Sequence, residues 1–161
     1  MKLKILGDKH YYSSVNPSEL YRPKIRRHRN PDGSRGGLVA ETAEVDKTVY
    51  VGSRAYVDGT AQVSGMVRLL DHAYVGNQAK VSGKVVVAQN AQVLGNTEVK
   101  GKVCISGRAI IQHYARVSGN VKISGHVIIH EGAVVDGEGS LTGRLIIGSR
   151  DVNMPWGPDI K

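Results

Sequence analysis

Six side chains recur at intervals of eighteen residues: Arg54, His72, Asn90, Arg108, His126 and Arg144. An imidazole can take or give a proton near neutrality, and a guanidinium can hold a carboxylate or a phosphate. His72 and His126 are therefore candidate general bases, and Arg54, Arg108 and Arg144 are candidate anion contacts. No carboxylate stands at a fitted spacing to orient either imidazole, so the same column also reads as a solvated basic edge. A second group is His113, His130 and Glu131, in which Glu131 follows His113 by eighteen residues. Such a set could share a metal ion. The sequence shows no Cys pair, no Gly-rich phosphate loop ahead of a helix and no Ser-His-Asp arrangement, so no cofactor is expected. A third group, Arg26, Arg27 and Arg29, lies in a basic stretch near the start of the chain.

These residues are placed by a repeat. From Ala43 to Arg150 the chain divides without a gap into eighteen units of six residues, each but the last, which starts at Leu145, with a small or β-branched residue first. The third residue of every unit is Val, Ile or Leu. Alternation inside each unit means short strands, and Gly after a strand permits the positive φ of a tight corner. A larger Val at the first position returns every third unit, at 49, 67, 85, 103 and 121. Three strands and three corners therefore make one coil of eighteen residues. The expected fold is all-β: a triangular parallel β-solenoid of about six coils, stacked at roughly 4.8 Å each.

Units of the form small-x-aliphatic-x-Gly-x resemble the hexapeptide repeat of left-handed parallel β-helix proteins. The likeness covers about two thirds of the chain, and left-handedness is what the resemblance implies. Gly36-Gly37-Leu38-Val39 followed by Ala-x-Val-x-Gly units resembles tandem-hexapeptide proteins of bacteria and phages. More distant relatives of this type are acyltransferases and gamma-class carbonic anhydrases, both usually trimers. The resemblance thus implies a homo-oligomer, a trimer first. Gamma carbonic anhydrases use three histidines, two of them five residues apart, whereas His126 and His130 are four apart and Asn77 stands two coils below His113. Acyltransferases of this fold interrupt their coils with an extruded loop and often end in a helical region. Here eighteen units pass without an insertion.

The ends depart from the repeat. Residues 1–36 form a basic N-terminal cap segment, residues 37–150 the β-helix and residues 151–161 a C-terminal cap. Tyr11, Tyr12 and Tyr21 are expected over the open end of the first coil, and Met154 and Trp156 over the last. The first 42 residues hold nine Lys and Arg against four Asp and Glu, which places +5 of the total +8 at one end. Arg26, Arg27 and Arg29 could meet an acidic protein or another anion; nucleic acid is a weaker match, because no aromatic residues are interleaved for base stacking.

The faces differ in chemistry. The second residue of each unit points outward. On the first face these residues are Glu44, Gln62, Lys80, Glu98, Arg116 and Val134, a solvated ladder. On the third face Tyr56, Tyr74, Ile110, Ile128 and Ile146, with Leu94 beside them, make an apolar stripe that a thin solenoid cannot cover from within. Such a stripe is expected to be an oligomer interface. One cysteine, Cys104, excludes an internal disulfide, and no apolar run is long enough to span a membrane, so a cytoplasmic location without membrane contact is expected. Taken together, these features read as a non-enzymatic scaffold that self-associates and binds a partner. The alternative is a trimeric acyltransferase with active sites in inter-subunit clefts near His72 or His126.

Overall fold

A computed structural model describes residues 24–148 and 152–153. The expectations for Tyr11, Tyr12, Tyr21, Met154 and Trp156 fall outside these residues. The chain forms a parallel β-solenoid of three sheets with no helix among the described residues. The first sheet has seven strands from Glu44–Val45 to Val152–Asn153, and the second has six from Tyr50–Val51 to Glu138–Leu141. The third has eight, opening with β1 (Ile25–Arg29) and β2 (Arg35–Ala40) and ending at Arg144–Ile147.

Registers carry the repeat directly into space. Val45 lies beside Val63, Val63 beside Val81, and so on to Val135, a step of eighteen residues each time. Backbone bonds tie each coil to the next, as in Glu44 N–H to Ala61 C=O and Gln62 N–H to Ala79 C=O, both 2.9 Å. Short strands of two to four residues suffice because every strand finds partners one coil away. First and third residues of the units point inward and are buried from Ala43 to Leu141, except Val45 and Gly139, which are half-buried. A column this narrow is filled by Ala, Val and Ile, and Phe is absent from the whole chain.

From Gly59 to Gly143 each corner turns through a residue at positive φ. Between the first and second faces that residue is Gly in five successive coils, from Gly65 to Gly137. At Gly83 (φ 88°) an added Cβ would lie 2.7 Å from the carbonyl oxygen of Gly101, so the stacking as well as the φ demands glycine. The other two corners are less strict. They place Asp71, Asn77, Gln89, His113 and Glu131 at φ between 53° and 61°. At the first of these, Asp71 accepts a bond from the Gln89 backbone N–H at 3.1 Å.

The N-terminal end shows how a solenoid edge is closed. β1 runs antiparallel to β2, with Arg27 opposite Leu38 and Arg29 opposite Arg35. The basic stretch is therefore a strand, which covers the outer edge of the third sheet. Its turn is made by Asn30, Pro31, Asp32 and Gly33, where the Gly33 N–H donates to the Asn30 carbonyl at 2.9 Å. Two side chains from this hairpin close the second sheet as well. Asn30, buried, donates through Nδ2 to the Val51 carbonyl at 3.2 Å and accepts at Oδ1 from the Val51 N–H at 2.8 Å. His28, also buried, donates through Nε2 to the Val49 carbonyl at 2.8 Å. An amide side chain thus stands in for a missing strand, and leaves no unpaired backbone at that edge of Val51.

Candidate functional site

The third face is built from residues that the strands have no choice but to turn outward. Leu38, Tyr56, Tyr74, Gln92, Ile110, Ile128 and Ile146 stand in one column, each in register with the next. Leu38 extends the column one coil beyond where the sequence repeat was counted; its signal was its place eighteen residues before Tyr56. Within the column each side chain rests on its neighbours, so Tyr56, Tyr74, Ile110 and Ile128 are half-buried, as is Leu94 beside them. Ile146, in the last coil of this face, is 74% exposed. The apolar stripe of the sequence is thus one column in space, interrupted only at Gln92.

The aromatic end of the stripe is rigid. The rings of Tyr56 and Tyr74 stack at 5.6 Å between centroids and 6° between planes. Tyr74 Oη donates to Asp58 Oδ2 at 3.2 Å, while Asp58 Oδ1 accepts from the Gly59 N–H at 2.6 Å. Gly76 leaves room for the ring, since a Cβ there would come within 2.8 Å of the Tyr74 oxygen. Burial first, then the Asp58 carboxylate, pushes the Tyr74 phenol up to about 12, and the same two causes raise Tyr56.

The basic column borders this face. Arg54, His72, Asn90, Arg108, His126 and Arg144 are all exposed along the corner between the second and third sheets. His126 lies in register with Arg144. Neither His72 nor His126 has a side-chain hydrogen-bond partner among the described residues. Arg26, Arg27 and Arg29 are exposed on β1, and Arg27 is anchored by donation to the Gly36 carbonyl at 3.1 Å. The structure does not join the two basic groups into one pocket: the hairpin sits at the end of the solenoid and the column runs along its edge.

His113 and His130 do meet, ring edge to face at 6.4 Å, and His130 Nδ1 lies 3.6 Å from Glu131 Oε1. Among the described residues no group of three His, Cys, Asp or Glu is arranged to hold a metal ion. The first face carries charges of both signs. Glu98 lies between Lys80 and Arg116 in its column and pairs with Lys100 at 3.0 Å. The Lys100 hydrogen bond, with the charges of Lys100, Arg116 and Lys80, holds the Glu98 carboxyl below its ordinary range. Sequence reasoning missed His28 and Asn30, which break no periodicity and carry no motif. It also passed over the second face, whose furrow is taken up below.

Among solved structures, the chain is similar to PerB from Caulobacter crescentus in complex with CoA and GDP-perosamine, at 23% identity and a TM-score of 0.36. That alignment covers 67% of this chain and 52% of the other. A mutant of GDP-perosamine N-acetyl transferase from the same organism aligns at 21% identity and a TM-score of 0.32, covering 68% and 49%. The chain thus spans about half the length of these structures. Likeness at these values says nothing of what this chain binds or catalyses. No curated protein matches it. No helix among the described residues is long and apolar enough to cross a membrane. A family model described as bactofilin, polymer-forming cytoskeletal, matches residues 37–140, more than half of the sequence and nearly all of the coils described above; the chain belongs to the bactofilin family.

Proposed function

We propose that this chain is a non-enzymatic structural subunit that self-associates laterally through its third face, as part of a polymer-forming scaffold. The observation that carries the reading is the column from Leu38 to Ile146, apolar or aromatic at every position but Gln92, on a solenoid too thin to cover it. The family description, polymer-forming, points the same way. The first face offers no such surface, because its outward column of Glu44, Gln62, Lys80, Glu98 and Arg116 is polar and charged up to Val134. A contact between third faces alone closes into a dimer or a trimer, so an extended polymer needs a second, open contact along the solenoid axis. A trimer through the third face is the arrangement that would bring the corner column of Arg54, Arg108 and Arg144 towards the subunit boundary. An anionic partner would then meet that edge or the exposed arginines of the hairpin.

The test is the solution mass by light scattering, with electron microscopy of the same sample, for the wild type and Ile128→Asp. A buried carboxylate in the middle of an apolar contact disrupts it strongly. The wild type is expected to form oligomers or filaments, and Ile128→Asp a smaller species with an unchanged circular dichroism spectrum. Equal masses for the two proteins would refute the third-face contact.

A further inference from the structure

The second face carries a furrow that self-association leaves unused. It has a volume of about 390 Å³ and runs along the solenoid axis over four coils, between two columns of outward side chains. One column is Lys84, Lys102, Asn120 and Glu138; the other is Val86, Cys104, Lys122 and Ser140. The floor is strand backbone. At its C-terminal end Gly139 holds the inward place that Val121 and Val103 hold in the coils below. Three steps at the usual strand spacing make the furrow about 14 Å long, the reach of roughly four residues of extended peptide.

Its charges are ordered. Lys84 and Lys102 lie in register one coil apart, and Lys122 lies in register with Cys104 across the furrow. At the other end the single carboxylate, Glu138, accepts from Asn120 Nδ2 at 3.2 Å. The three ammonium groups repel one another, and an incoming anion relieves that repulsion. A second copy of this face would bring the same lysines together, which disfavours it as a self-contact. A polyanion such as nucleic acid would set its charge against Glu138 and gain little from the apolar wall of Val86 and Cys104. The geometry points to a docking site for an extended peptide segment of a partner protein, with acidic residues towards Lys84, Lys102 and Lys122 and a neutral or basic end beside Glu138. Small apolar side chains between the acids would lie against Val86 and Cys104. This site works in a single subunit, so it does not depend on the third-face contact.

The probe is a fluorescein-labelled peptide, Glu-Val-Glu-Val-Ser-Lys, followed by anisotropy against the full chain. The double variant Lys84→Glu with Lys102→Glu is expected to weaken binding about ten-fold, equivalent to about 1.4 kcal/mol. Arg26→Glu with Arg29→Glu, which alters the hairpin, is expected to leave it unchanged. Cys104 supplies a readout in the wild type, since it is the chain's only cysteine and is half-buried in the furrow wall. Bound peptide should slow its reaction with a maleimide in proportion to occupancy, whatever the folding behaviour of the variants. Affinity that survives the lysine reversal, or is lost with the hairpin reversal, would overturn the proposal. So would Cys104 reacting at an unchanged rate under saturating peptide, or protection of Cys104 by a single-stranded oligonucleotide at lower concentration than the peptide.

Discussion

Single residues show where the repeat is under tension. The inward column of the first face is Ala at 43, 61, 79, 115 and 133, but Thr at 97. The Thr97 hydroxyl is buried and has no hydrogen-bond partner among the described residues. An orphaned hydroxyl in an apolar column costs about 1–2 kcal/mol. Thr97→Val keeps the branched shape and removes the polar atom, so it should raise the stability measured by urea unfolding by about that amount. Tyr74 makes a second prediction. The folded protein holds its phenolic proton up to about 12, so the proton is bound more tightly than in the unfolded chain. This contribution is complete below about pH 10, the ordinary tyrosine range, and fades as the pH climbs towards 12. Absorbance titration should therefore find tyrosine ionising late, and Tyr74→Phe should remove that late phase and flatten the alkaline loss of stability.

At the scale of elements, the hairpin is the part that periodicity could not reveal. Coils repeat, so their strands, faces and inward residues can be read from Val, Ile and Leu at every third position of the unit. Closing an end is a single event with no period. The one local signal was Asn-Pro-Asp-Gly, a strong turn sequence between two stretches that turn out to be strands. The charge of Arg26, Arg27 and Arg29 obscured it, although charged side chains suit a strand at a sheet edge. Nothing in the sequence marks Asn30 as a substitute strand, because that role exists only once Val51 has been placed opposite it. Asn30→Asp tests the role sharply. The carboxylate keeps an acceptor for the Val51 N–H but loses the Nδ2 donor and faces the Val51 carbonyl. A buried charge without its donor contact should destabilise the protein by about 2–4 kcal/mol at neutral pH. Acidification should recover part of that loss, since the protonated acid can again donate, and an equal deficit at pH 4 and pH 7 would show that the donor contact is not what closes the edge.

At the scale of the molecule, the fold leaves its outward columns as separate surfaces, and each can be judged by whether its charges and apolar groups are already met. On the first face Glu98 pairs with Lys100 and stands in register between Lys80 and Arg116. The apolar groups of the third face are not met, and this is why its column was legible: burial on a thin solenoid follows from position in the unit, so an apolar residue at the outward position has no cover of its own. What the sequence could not convey was depth. The furrow of the second face depends on two columns of outward side chains standing side by side, an arrangement that has no sequence motif. If the third face is an interface, assembly and folding are linked by mass action, because only folded subunits present the column. The melting temperature of the wild type should then rise as protein concentration increases, and that dependence should vanish in Ile128→Asp. Gln62→Glu, a change of the same sign on the first face, is the control and should keep the wild-type slope. A melting temperature independent of concentration in all three proteins would place the polymer contact away from the third face, at the ends of the solenoid.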